Sequence, residues 1–466
     1  MCENENDLIT IGKFVIVKRL NFKKIYKVAV NGTLMLGKNL IQMHEIIGKR
    51  FWTTFEMVPI KEGKRTYSLR EVLETETLND LLNELPSGND NRSIIDDGTS
   101  QKLSKEEILQ LQESGKSGKE IVGSLIKNNK SFLDRTEYSQ EKYLKKKEQK
   151  YLRYLTICKP SISSLHDVYF KLDHTKIGNL RMDSLSQLLS YSDIQSEGLY
   201  ILYDNGSQGL PAAAMLNRIG SNTTGCLINL HPGNVPQVVL INAMNFSKEQ
   251  SERLLNVNIY SFLRLYYQGE GAVLNNISKK TLNNCTIKQN ESKSDGENHI
   301  NNEILEIKEI DIREQNLDVN VNDSNETLKH STDSSLKRKL NECNEYEFTE
   351  VIPAKKPKWL LETQRAVELV KNTKARGLAI VAKEHPLNIV NALLPFLGPS
   401  RPFVIYHIYR EPLQETYMML KQKQNVINLR LFTNFLRSYQ VLPDRTHPDI
   451  LTSDTGGYLL TGYLIQ

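Results

Sequence analysis

Cysteine is scarce and scattered: Cys2, Cys158, Cys226, Cys285 and Cys343 form no C-x-x-C pair. That argues against a zinc ribbon and a disulfide framework and fits a reducing compartment. No run reaches the ~18 apolar residues of a membrane span, and the opening MCENENDLIT is acidic and polar where a signal peptide is basic then apolar. Secretion and membrane insertion are not expected. Charge of one sign is lacking too, since 60 basic residues against 55 acidic ones leave a net +5. Any nucleic-acid surface must come from local segregation of charge. The GKSGKE stretch is no phosphate-binding loop, because it lacks the first glycine of G-x-x-x-x-G-K-[ST] and follows a helix where a strand is needed.

What is present is a chain of 466 residues, 39% hydrophobic, enough for about three domains of ordinary size. Within a first domain expected over residues 1–85, residues 10–60 alternate apolar and polar positions in KFVIVKRL, KIYKVAV, GTLMLG and WTTFEMV, with Asn31-Gly32 suited to a two-residue hairpin turn. A small β-barrel-like domain is expected there, serving packing or docking. Residues 86–150 read as a linker with two helices and a basic run. Ser104 and Glu107 form a capping box for the first helix, and Ser117 and Glu120 repeat it ahead of EIVGSLIKNN.

The basic run, SQEKYLKKKEQKYLRYLTICKP from Ser139 to Pro160, concentrates Lys142, Lys145, Lys146, Lys147, Lys150 and Arg153 with Tyr143, Tyr151 and Tyr154. Three-to-four spacing places the cations along one side of a helix and the rings along another. Cations for phosphates and flat rings for stacking suit RNA. On the run alone, a solvated lysine-rich face fits as well.

Residues 151–273 contain a strand EGLYILYD, a turn NGSQG, a helix opening at Pro211 and a second strand GCLINL, a βαβ unit of the nucleotide-binding kind. A working cofactor site of this type needs several loop glycines and an acid ending the second strand. Here Gly206 and Gly209 are only part of such a loop, and the second strand ends Asn229-Leu230-His231-Pro232 with no carboxylate. The fold is expected without the pocket, and His231 reads as a loop histidine. Residues 274–358, rich in Asn, Ser and Glu, are expected to be a disordered insertion. Lys337-Arg338-Lys339 and Lys355-Lys356-Pro357-Lys358 within it resemble a bipartite nuclear import signal. Strand patterns resume over 359–466 in GLAIVAK, RPFVIYHIY and NVINLRLF, completing a Rossmann-like domain.

Taken together, DNRSIIDDGTSQKLSKEEI, EIVGSLIKNNKSF, TEYSQEKYLKKKEQKY, PSRPFVIYHIYREPL and YQVLPDRTHP…GGYLLTG closely resemble the non-catalytic subunit of the eukaryotic tRNA (adenine(58)-N1)-methyltransferase. The resemblance covers nearly everything except the N-terminal tail, parts of the early linker and the insertion. It implies an α/β and β chain: a β-barrel-like domain followed by a Rossmann-like methyltransferase-type domain with a degenerate cofactor site. It also implies a catalytic partner that binds S-adenosylmethionine and methylates a T-loop adenosine of tRNA, in a heterotetramer of two plus two, in the nucleus. No cofactor, metal or catalytic residue is assigned to this chain.

Carried over by motif, tRNA contacts are expected from Asn91, Arg92, Ser93 and Ile94, from Lys142, Tyr143, Lys145, Lys146, Lys147, Lys150, Tyr151 and Arg153, from Lys176 and Arg181, from Arg401, and from Arg437, Tyr439, Arg445 and His447 around the GGYLL turn. Asp96 and Asp97 read as loop-ordering acids. Two alternatives stay open on the residues alone. One is a self-sufficient methyltransferase using Asp204, Gly206 and Gly209, and the other is a stand-alone RNA-binding or translation-associated factor.

Overall fold

A computed structural model describes residues 7–20, 22–60, 65–74, 86, 88, 100–113, 118–271, 357–441, 446–449 and 456–465. The expected insertion therefore lies outside the described residues up to Lys356, as does the first basic cluster of the import signal. Pro357 and Lys358 do not belong to it, because Pro357 is the N-cap of a helix that begins at Lys358.

The N-terminal strands are β1 (Phe14–Arg19), β2 (Phe22–Lys27), β3 (Thr33–Leu36), β4 (Asn39–Gln42), β5 (Thr54–Pro59) and β6 (Thr66–Val72), joined by β7 (Tyr154–Cys158) into one sheet of order β2-β1-β7-β5-β6-β4-β3. Alternation fixes the register: Val15 and Val17, Leu34 and Leu36, Phe55 and Met57, Tyr67 and Leu69, and Leu155 and Ile157 all turn inward. The sheet is thus not confined to the first 85 residues, because β7 enters between β1 and β5, antiparallel to both. The two-residue turn between β3 and β4 is Gly37-Lys38, with Gly37 at φ +61°. Asn31-Gly32 instead precedes β3, which pairs with β4 and not with β2.

Between β6 and β7 run α1 (Lys105–Glu113), α2 (Gly118–Lys127) and α3 (Glu137–Tyr151). The capping box of α1 forms as expected, with Ser104 N donating to Glu107 Oε2 at 2.8 Å and Glu107 N to Ser104 Oγ at 3.1 Å. The basic run is a third helix with a core of its own, in which Ile121, Val122, Leu125 and Ile126 of α2 pack on Phe132, Leu144, Tyr151 and Leu152.

The second sheet holds β8 (Leu199–Asp204), β9 (Cys226–His231), β10 (Leu254–Asn258), β11 (Gly377–Val381), β12 (Pro402–His407), β13 (Val426–Phe432) and β16 (Tyr458–Leu464), in the order β10-β9-β8-β11-β12-β16-β13. A short pair, β14 (Tyr439–Gln440) and β15 (His447–Pro448), stands apart. Strands β8 to β12 run parallel, and β16 runs antiparallel to both neighbours. Every residue of β8, β11 and β12 is buried, as a parallel sheet covered on both faces requires. The cover is supplied by α4 (Ile162–Asp173), α5 (Met182–Tyr191), α6 (Leu210–Ile219), α7 (Val239–Ala243), α8 (Lys248–Glu252), α9 (Ile259–Gln268), α10 (Lys358–Asn372), α11 (Pro386–Leu393) and α12 (Glu411–Lys423).

This is a Rossmann-like, methyltransferase-type sheet whose order reverses beside β8, so that the carboxyl ends of β8 and β11 flank the place where such folds bind ligands. The two sheets are tied by Asn245, whose side chain both accepts from Phe14 N and donates to Phe14 O at 2.8 Å. Among the described residues no helix is long and apolar enough to cross a membrane, and no group of three or more His, Cys, Asp or Glu could hold a metal.

Candidate functional site

On α3, Lys142, Lys146 and Lys150 lie four apart, all exposed, and none forms an ion pair among the described residues. Lys145 differs, since its ammonium sits 2.7 Å from Glu141. Lys147 is half-buried over the Tyr143 ring, 4.9 Å from its centroid. Burial and then the charges of Lys150 and Lys146 push its pKa down. Arg153 follows the helix, over the Tyr67 ring at 5.4 Å, and its charge adds to burial in depressing the pKa of Arg19. Like charges that crowd each other in this way are relieved when a polyanion arrives.

The rings do not behave as expected. Tyr151 is buried and Tyr143 half-buried, in edge contact with Phe132 at 5.3 Å, and burial raises the Tyr143 pKa. Tyr154 lies on β7, not on the helix. Tyr143 and Tyr151 are core residues that hold α3 on α2, so stacking on bases falls away as their role. The reason is geometric: positions 143 and 151 flank Leu144 on the face that meets Phe132 and α2.

Arg181 is a second correction. It is 5% exposed, its Nε and Nη2 donate to Asp183 at 2.6 and 2.7 Å, and Nη2 also donates to Asn434 O at 2.9 Å. It lies against Gly456, where a Cβ would come within 2.7 Å of the guanidinium carbon. Ser184 Oγ donates to Gly456 O at 2.6 Å and Thr433 Oγ1 to Gly457 O at 2.7 Å. Gly457, at φ +72°, leaves room for Tyr406. The double glycine thus serves packing, with Arg181 as an internal fastener out of reach of RNA.

The remaining expected contacts fall in separate places. Lys176 is exposed in the turn after α4. Arg437 and Tyr439 are exposed beside Phe435, Leu436 and Val441, and His447 faces Gln440 across β14 and β15. Arg401 is exposed just before β12 and lines the same cavity as Lys374 and Arg376. Asn91, Arg92, Ser93, Ile94, Asp96, Asp97 and Arg445 lie outside the described residues.

At the carboxyl ends of β8 and β11 the glycine loop is covered by two exposed side chains, Gln237 and Lys383. The side-chain oxygen of Gln237 accepts from Gly206 N and Gln208 N, both at 3.1 Å. Gly206, at φ +88°, lies under the Lys383 stem, which any Cβ there would overlap. Glu384 accepts from the Tyr203 hydroxyl and, at 2.6 Å, from Asn205 Nδ2. Burial, with this carboxylate as second cause, drives the Tyr203 pKa strongly up. Asp204 is buried, and desolvation pushes its pKa up to about 6 even though Ser207 Oγ donates to Oδ1 at 2.5 Å. Its Oδ2 has no partner among the described residues.

His231 is not a loop residue. It ends β9, is 6% exposed, and holds Gly233 O at 2.8 Å through Nδ1, with burial lowering its pKa. Sequence reasoning missed Gln237, Lys383 and Glu384. The signal that could have found the last two is their position just past β11, the strand beside β8 at the point where the sheet order reverses.

Residues 8–309 match the Gcd10p family. Over 479 aligned residues the chain is 33% identical to the tRNA (adenine(58)-N(1))-methyltransferase non-catalytic subunit of Mus musculus, covering 97% of this chain and 88% of the mouse protein. The Dictyostelium discoideum protein of the same description is 27% identical, over 98% of this chain and 79% of its own length. A solved SAM-dependent O-methyltransferase from Thermotoga maritima overlays at a TM-score of 0.46 and 10% identity, covering 100% of this chain and 98% of its own. By its family match and by identity across nearly its whole length, the chain belongs to the Gcd10p family, the non-catalytic subunits of tRNA (adenine(58)-N(1))-methyltransferase.

Proposed function

We propose that this chain works as the tRNA-gripping, non-catalytic half of a tRNA 1-methyladenosine methyltransferase, holding substrate for chemistry done on a catalytic subunit that carries S-adenosylmethionine. One observation carries the division of labour: the loop amides a cofactor would need are already bonded to Gln237, and Lys383 covers Gly206. A ligand entering there would have to displace the exposed Gln237 and Lys383 side chains from the loop. The grip is assigned to Lys142, Lys146 and Lys150, whose charges have no acidic partner among the described residues, with Arg153 and Lys147 deepening the positive field. Exposed Phe435, Leu436, Tyr439 and Val441 form an apolar strip suited to docking the partner. Assembly as two copies of each subunit, and residence in the nucleus, complete the reading.

Methylation of tRNA measured with this chain alone, the partner alone and both together tests it. Activity is expected only in the mixture. Calorimetry of the isolated chain with S-adenosylmethionine is expected to give no heat of binding, whereas saturable micromolar binding would favour a self-sufficient methyltransferase. Mass measurement of the assembled complex tests the stoichiometry, and a tagged chain lacking residues 337–339 tests nuclear import.

A further inference from the structure

A cavity of about 600 Å³ opens at the amino ends of β8, β9, β11 and β12, the opposite end of the sheet from the covered glycine loop. Lys374, Arg376 and Arg401 line it, with Thr224, Thr373 and Cys226, and no acidic side chain does. The three cations are mounted on fixed backbone. Arg376 N donates to Leu199 O at 2.7 Å, Gly398 N to Ala375 O at 2.9 Å, and Leu464 N to Arg401 O at 3.0 Å.

Two glycines let the stems in. A Cβ at Gly398 would lie 3.3 Å from Arg401 Cγ and 3.4 Å from Lys374 Cβ, and one at Gly198 would come 2.9 Å from Arg376 Nε. Little of their donor capacity is used. Lys374 Nζ donates to Pro395 O at 2.7 Å, Arg376 Nη1 reaches Glu197 O only at 3.4 Å, and Arg401 has no side-chain partner among the described residues.

Two planar forks and a lysine stem lining one cavity with no acidic side chain among its described lining residues suit the oxygens of a phosphate group. We propose that this cavity is a phosphate-binding site, separate from the basic face of α3. Its occupant is a phosphate of the tRNA backbone or a free nucleotide phosphate. The tRNA arm rests on the RNA-gripping reading above, and the nucleotide arm does not.

Cys226 lines the same cavity as a half-exposed free thiol and reports occupancy at that spot. Its alkylation, followed by site-resolved mass spectrometry on the assembled complex, is measured without additive and with tRNA, adenosine monophosphate or inorganic pyrophosphate. Protection is expected to be several-fold and to be lost in Arg376→Ala/Arg401→Ala, with the double lysine variant retaining part of it. Protection by tRNA alone assigns the backbone as the source, and protection by the small phosphates assigns a nucleotide. No protection by any of the three at millimolar concentration, or equal protection in wild type and the alanine variant, overturns the proposal. Protection by tRNA that persists while Lys142→Ala/Lys146→Ala/Lys150→Ala leaves tRNA affinity unchanged would sink the α3 reading and spare this one.

Discussion

The lysine row of α3 and the glycine loop after β8 have opposite economies of charge. On α3, Lys142, Lys146 and Lys150 are exposed with no counter-charge among the described residues, and Lys147 and Arg19 are crowded by their own kind. At the loop almost every donor is already matched, with Gln237 on the amides, Lys383 over Gly206 and Glu384 on Tyr203 and Asn205. A region that leaves charge uncompensated is free to meet a polyanion, and one whose amides are already bonded must give up a contact to take a ligand. The basic surface stands on other elements than the methyltransferase-type sheet, since α3 packs on α2 and leads into β7 of the first sheet.

The strongest way to break the comparison is Lys142→Ala/Lys146→Ala/Lys150→Ala. If each lysine meets a phosphate, the slope of log affinity against log salt should fall by about 2 to 3, with tRNA binding weakened on the order of a hundredfold at moderate salt. Filter binding over a salt series checks both. Arg181→Ala should do the reverse, costing about 3 kcal/mol in denaturant unfolding by stranding Asp183 and loosening the Gly456 turn, with the salt slope untouched.

Asp204→Asn sharpens the loop side. Because the folded carboxyl titrates near 6, above its ordinary 3.8, the folded state holds the proton more tightly than the unfolded chain. The stability this contributes is complete below about pH 4 and is lost as pH rises through 6, up to about 3 kcal/mol. The asparagine variant should therefore flatten the pH dependence of melting between these values and melt higher at pH 7.5. A lower melting temperature at that pH would mean the charged carboxylate is itself stabilising. The smallest effect is expected from Lys145→Ala, whose exposed charge is already paired with half-buried Glu141. It should cost less than about 0.5 kcal/mol and lower the salt slope by less than any of the three unpaired lysines.

Much of this contrast was legible in the residues. The alternation of KFVIVKRL, the capping box at Ser104 and the βαβ pattern around EGLYILYD all translate into the elements observed. What was not legible depended on contacts between distant segments. Tyr143 and Tyr151 carry the same spacing whether they face bases or Phe132, and only the packing of α2 decides. Arg181 reads as one more cation until Asn434 and Gly456 close over it. Nothing local to the loop announces that Gln237 bonds its amides or that Lys383 lies over Gly206.

The central claim is that this chain supplies grip and the partner supplies chemistry. Steady-state methylation by the assembled complex carrying Lys142→Ala/Lys146→Ala/Lys150→Ala tests it most directly, with chemistry made rate-limiting so that KM reports binding. KM for tRNA should rise by about tenfold or more while kcat stays within about twofold of wild type. A fall in kcat with KM unchanged would place these lysines in the chemical step and contradict the account.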